Sequence, residues 1–137
     1  MIIFKMKKTL IILVLLPCFL PSNIFGDEHD LFSNFKKWTN GTAGMNVLNT
    51  LCIEDYDSAK GQQFVFDYID DIFKANLINK KQSKFLKDLF IFKELEMEES
   101  IELIKAKGCD SSESQDIYAI YENDWIESSK FLENFNN

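Results

Sequence analysis

The chain has 137 residues, with 22 Asp and Glu set against 15 basic residues that are all Lys, and a formal charge of −7. That balance argues against nucleic acid and anionic lipid as partners and suits a basic protein surface. The single histidine, His29, excludes a histidine-rich metal centre and leaves little for base-assisted nucleophilic catalysis.

Residues 1–26, MIIFKMKKTLIILVLLPCFLPSNIFG, start with Lys5, Lys7 and Lys8, pass through an apolar run from Leu10 to Leu16, and end in small and turn-forming residues. This is the layout of a secretory signal peptide, with processing expected near Gly26. Pro17 and Pro21 interrupt the run well short of the roughly 20 apolar residues that a spanning helix needs. Lipidation at Cys18 is the alternative, although Pro17 stands where that reading wants a small residue. Residues 27–137 then form the mature domain, periplasmic or secreted, with a formal charge of −10 once the three leading lysines are gone. No stable membrane insertion is expected after processing.

In DEHDLFSNFKKWTNG, Leu31, Phe32, Phe35 and Trp38 fall at helical spacing and predict a short first helix ending at Asn40-Gly41. Ala43 to Ile53, with Met45, Leu48, Leu51 and Cys52 on neighbouring turns, predicts a second. GQQFVFDYIDDIFKAN carries the strongest amphipathic signal. Phe64, Val65, Tyr68, Ile69, Ile72 and Phe73 make the apolar stripe, and Asp67, Asp70, Asp71 and Lys74 take the wet side. Gln82 to Phe92 is apolar at Phe85, Leu86, Leu89 and Phe90; it reads as a helix, with an irregular buried segment as the alternative. Glu96 to Lys107 predicts a further helix with acids first, Lys105 and Lys107 last, and Gly108 at the capping position. Residues 110–116, DSSESQD, read as a loop on composition. A last helix carries Ile117, Ile120, Tyr121, Trp125, Phe131, Leu132 and Phe135, with a break expected at Asn123-Asp124. The class is all-α: one small bundle of about four to six helices.

Two cysteines, Cys52 and Cys109, remain in the mature chain. In an oxidising compartment they most simply form one disulfide. Closing a loop of that length stabilises a fold by about 4 kcal/mol in the chain-entropy treatment. The neighbouring Glu54, Asp55 and Asp57 disfavour a reactive thiolate, and no second ligand lies at metal spacing.

Paired carboxylates such as Asp70-Asp71 and Glu98-Glu99 read as solvated faces in so acidic a chain, not as a catalytic pair. The expectation is a binding protein without enzymatic activity, metal or cofactor, acting as a monomer or homodimer. The candidate partner-binding residues are Asp67, Asp70 and Asp71 on the third helix, and Glu54, Asp55 and Asp57 in the loop before it. Of the aromatic residues, Phe66 and Phe92 sit off the apolar stripes, where exposed rings would suit protein recognition.

At GMNVLNTLC followed by GQQFVFDYIDDIFKA the chain resembles the Tai family, periplasmic immunity proteins against amidase toxins of type VI secretion. Gly44, Leu48 and Cys52 approximate one family pattern and Tyr68, Ile69 and Asp70 another, while ELEMEESIELI and NDWIESSKFLENF are similar to the two later helices. The chain departs from the family at Phe64 to Asp67, where members carry a cysteine, and at Asp70 or Asp71, where they carry Gly. The resemblance implies a bundle that blocks a basic, cell-wall-degrading toxin by covering its active-site cleft. TLCIEDYDS followed by a helix also resembles periplasmic acid-stress chaperones of the HdeA kind, which implies opening of the bundle at low pH. A third alternative is an exported interaction protein of neither family.

Overall fold

A single helix, α1, runs from Ile24 to Cys52 where the sequence predicts two helices broken at Asn40-Gly41. The computed structural model describes the backbone of residues 24–135 and the side chains of residues 30–134. The first residues of the expected signal peptide, and the side chain of His29, lie outside the described residues. α1 begins upstream of the expected processing point near Gly26.

The reason α1 continues is packing. An isolated glycine in a helix interior costs about 1 kcal/mol relative to alanine, and here that cost is offset by close contact with the last helix, α5 (Ser112–Phe135). A Cβ at Gly41 would lie 2.7 Å from both the Tyr121 carbonyl oxygen and the Trp125 amide nitrogen, and one at Gly44 would collide with the Tyr121 ring. From Trp38 to Asn49, α1 is buried on nearly every side. Its hydroxyls survive this burial by donating back along the helix, Thr39 to Phe35 O at 2.8 Å and Thr42 to Trp38 O at 2.9 Å. Three other helices approach this one, and it meets them with Gly, Thr, Ala and Asn at the closest contacts and with Leu31, Phe35, Trp38, Met45 and Leu48 between them.

Those three are α5, α2 (Ser58–Lys74) and α3 (Lys80–Glu96). α2 buries Phe64, Val65, Tyr68, Ile69 and Ile72 as its periodicity predicts, but Phe73, expected on the same stripe, is exposed. The α2 stripe meets Phe35 and Trp38 of α1, with the Trp38 and Tyr68 rings 4.3 Å apart at their centres. α3 resolves the ambiguity over Gln82–Phe92 in favour of helix. Its start is fixed by a reciprocal cap in which the Asn79 side chain accepts from Gln82 N and the Gln82 side chain accepts from Asn79 N, both at 2.8 Å.

α4 (Glu98–Lys107) follows α3 after one residue, Met97, and ends at Gly108, whose φ of +89° takes the chain out of the helix. The predicted loop over 110–116 is instead the cap and first turn of α5. Ser111 Oγ accepts from Ser114 N at 3.1 Å, and both serine hydroxyls donate to Gly108 O. Serines dense enough to suggest a loop are here the helix-start signal. The break expected at Asn123-Asp124 is absent as well. Asp124 lies inside α5, where its carboxylate accepts from Asn40 Nδ2 at 2.9 Å, tying α5 to α1. Five helices and no strand therefore make up the described residues, an all-α bundle, and the Cys52–Cys109 disulfide joins the end of α1 to the turn before α5. A second small cluster, Leu48, Met97 and Ile104, packs beneath that bridge.

Candidate functional site

The six acids singled out in the sequence lie on α2 and on the turn before it, and three of them, Asp57, Asp67 and Asp70, are engaged within the chain. Asp57 is the N-cap of α2, its carboxylate accepting from Lys60 N at 3.2 Å. Asp55 holds the turn open with a φ of 62°, a left-handed conformation that Asp tolerates better than most residues. Glu54 beside it is exposed. On α2, Asp67 accepts from Gln63 Nε2 at 2.8 Å, and Asp70 pairs with Lys87 of α3 at 2.7 Å. The Asp70–Lys87 pair is half-exposed and contributes at most about 1 kcal/mol. Helical spacing keeps Asp67, Asp70 and Asp71 on the outer side of α2, opposite the buried stripe, with Lys60 and Lys74 on the same side. The structure thus places the three α2 acids together in the second half of the helix, about three turns from the acidic turn at its start, on a face that lysines interrupt.

A surface that the sequence pointed to only at Phe92 lies on the outer side of α3. Phe85, Ile91, Phe92 and Leu95 are 50%, 51%, 52% and 72% exposed. Leu86 and Phe90 of the same helix point into the core. Phe85, Phe92 and Leu95, together with Asp88, are spaced three and four residues apart, so they form one seam along the helix. Of the two rings flagged as off-stripe, Phe92 belongs to this seam. Phe66 is half-buried, edge-on to Phe90 at 5.9 Å and covered by the Lys87 ammonium at 5.5 Å. The signal for the seam was present in the heptad spacing, but Phe85 reads equally well as core.

Charge is divided along α3. Lys80, Lys81 and Lys84 lie at its start, while Glu94 and Glu96 lie at its end, with Glu98, Glu99 and Glu102 following on α4. Lys93, by contrast, is buried; it pairs with Glu96 at 2.8 Å and faces the Tyr121 ring at 5.7 Å. Beside α3 runs an open groove of about 350 Å³, bordered by Asn46 and Thr50 of α1, Gln62 of α2, Ile91 and Glu94 of α3, and Lys105 of α4. A second cleft of about 300 Å³ adjoins the disulfide, with Asn49, Tyr118 and Glu122 on its walls.

Between the two clefts, amides from α1 hold two phenols. Tyr56 OH donates to Asn46 Oδ1 at 2.6 Å, and Tyr118 OH donates to Asn49 Oδ1 at 3.3 Å. Burial pushes both phenols above their ordinary range. These walls of amide, hydroxyl and apolar groups are suited to hydrogen bonding and apolar contact. Among the described residues, no group of three or more His, Cys, Asp or Glu side chains is arranged to hold a metal ion. No helix among them is long and apolar enough to cross a membrane.

No family model, curated protein or solved structure matches this chain.

Proposed function

We propose that this protein is an exported, non-catalytic inhibitor that binds a basic protein partner, as an immunity protein binds a cell-wall-degrading toxin of type VI secretion and covers its active site. The observation that carries this reading is the placement of Asp67, Asp70 and Asp71 on the outer face of the same helix whose start is the acidic turn of Glu54, Asp55 and Asp57. Side chains fixed on a helix offer a partner a preorganised surface, and acids clustered on one side steer a basic partner toward it. The disulfide supports the export part of the reading, since such bridges persist in oxidising compartments.

The test uses the oxidised protein as bait at neutral pH for exported proteins of its own cell and of neighbouring competitors. Capture of a basic peptidoglycan hydrolase, with inhibition of its activity, is the expected result. Reversing Asp67, Asp70 and Asp71 to Lys should then weaken binding by at least about tenfold, mostly through slower association at low salt. An unchanged affinity would remove these acids from the interface.

The exposed apolar seam on α3 favours a second reading, an acid-stress chaperone that uses apolar surface to hold unfolding proteins. Suppression of client aggregation at about pH 2 to 3, with no partner at neutral pH, would replace the inhibitor with the chaperone.

A further inference from the structure

From the outer face of α3 we infer that a second copy of this chain docks there, antiparallel, across a two-fold axis near the middle of the helix. Three observations converge. The seam of Phe85, Phe92 and Leu95 repeats at the spacing by which two helices interlock, with Ile91 at its flank. The seam is exposed, and apolar except at Asp88, which pairs with Lys84 of the same helix, in a fold whose other large side chains are mostly buried. And the charge from α3 into α4 is self-complementary: lysines at residues 80, 81, 84 and 87 come first, with Asp88 the one acid among them, and glutamates at 94, 96 and 99 follow, with Lys93 buried.

The charge pattern identifies the occupant and its direction. A parallel pair sets lysine against lysine and glutamate against glutamate. An antiparallel pair brings Lys81 of each copy toward Glu99 of the other, and Phe85 toward the other's Phe92 and Leu95, while Lys84 and Glu96 keep their partners within the chain, Asp88 at 2.6 Å and Lys93 at 2.8 Å. The two helix dipoles then also oppose one another favourably. Met97, between α3 and α4, leaves the helical range (φ −97°, ψ 13°), and its carbonyl accepts from Ile101 N at 2.8 Å as α4 begins, so Glu99 lies in the first turn of α4.

Size is consistent with a modest dimer. The four exposed apolar side chains offer roughly 400 Å² per copy. With the charged flanks, the buried total approaches the lower edge of a specific interface, about 1,200 Å². The α2 acids lie on another helix, so the docking surface and the proposed partner surface are separate, and the inference stands without that partner.

Sedimentation velocity of the full-length oxidised chain over a wide concentration range tests it. The expected result is a concentration-dependent dimer. Leu95→Asp, at the most exposed seam position, should weaken it by at least about tenfold while leaving the helical circular dichroism unchanged. Lys81→Glu should weaken it several-fold, and adding Glu99→Lys in the same chain should restore it, since the exchanged charges again face opposite signs. A chain that stays monomeric throughout overturns the inference, even if α3 is covered by another protein in a mixture. A dimer indifferent to Leu95→Asp, or one in which Glu99→Lys deepens the defect of Lys81→Glu, overturns it equally.

Discussion

α1 and α3 handle side chains in opposite ways. α1 is enclosed by three neighbours and relies on Gly41, Gly44, Thr39, Thr42 and Asn49 to let them close in. α3 is enclosed on one side only, yet carries Phe85, Ile91, Phe92 and Leu95 on the other. Hydrophobicity alone is therefore a poor guide to burial in this bundle. Approach distance decides where the centre takes Gly and Thr and where it takes Trp38, Phe35 and Met45, while the outer side of α3 has no neighbour to enclose its rings.

The sharpest way to break this contrast is to empty or overfill the centre. Trp38→Ala removes a fully buried indole packed on Phe64 and Tyr68, and should cost about 3 to 5 kcal/mol in a urea titration. Reducing Cys52–Cys109, which closes a separation of 57 residues, should cost about 2 to 4 kcal/mol by the same measurement. Gly44→Val, which drives a branched side chain into the Tyr121 ring, should cost about 1 to 3 kcal/mol. A loss below a few tenths there would mean that α5 can back away from α1 and that the contact is looser than described.

Alkali probes the same central region. Tyr56, Tyr68, Tyr118 and Tyr121 all have phenols raised above the ordinary value near 10, chiefly by burial. A raised phenol favours the protonated form in the folded chain, so this stabilisation is fully present below pH 10 and declines as pH rises past it, where the unfolded chain loses its protons first. Tyrosinate absorbance should therefore appear in one step together with loss of helical circular dichroism. A gradual tyrosinate signal centred near pH 10 in a chain that stays helical would contradict the burial of these rings.

Much of the bundle was legible in the sequence. The α2 stripe, the α4 boundary at Gly108 and the disulfide follow from periodicity, capping residues and cysteine count. What was not legible has a common cause. Asn40-Gly41, the serines at 111–114 and Asn123-Asp124 are all local breakers, and each is overruled or reused by a tertiary contact: α5 against Gly41, Ser111 as a cap, Asn40 on Asp124. The candidate acids could be found by type, but not their engagements; that Asp57 caps a helix and Asp70 meets Lys87 depends on how α2 lies against its neighbours. The α3 seam was legible only at Phe92, because the other apolar residues at helical spacing read as core whichever side they face.

The smallest expected effect is also the most telling. Surface substitutions away from special features change stability by no more than about 0.5 kcal/mol, so Leu95→Asp should leave the monomer's own stability nearly intact. The measurement is the urea midpoint of the wild-type chain and of Leu95→Asp, each followed as a function of protein concentration. If α3 presents a surface for a second copy, the wild-type midpoint rises with concentration and merges with the variant's on dilution, because association adds to stability by mass action. Two midpoints that stay apart at every dilution would instead mean that Leu95 supports the fold itself, and that the outer face of α3 is not a surface reserved for contact between molecules.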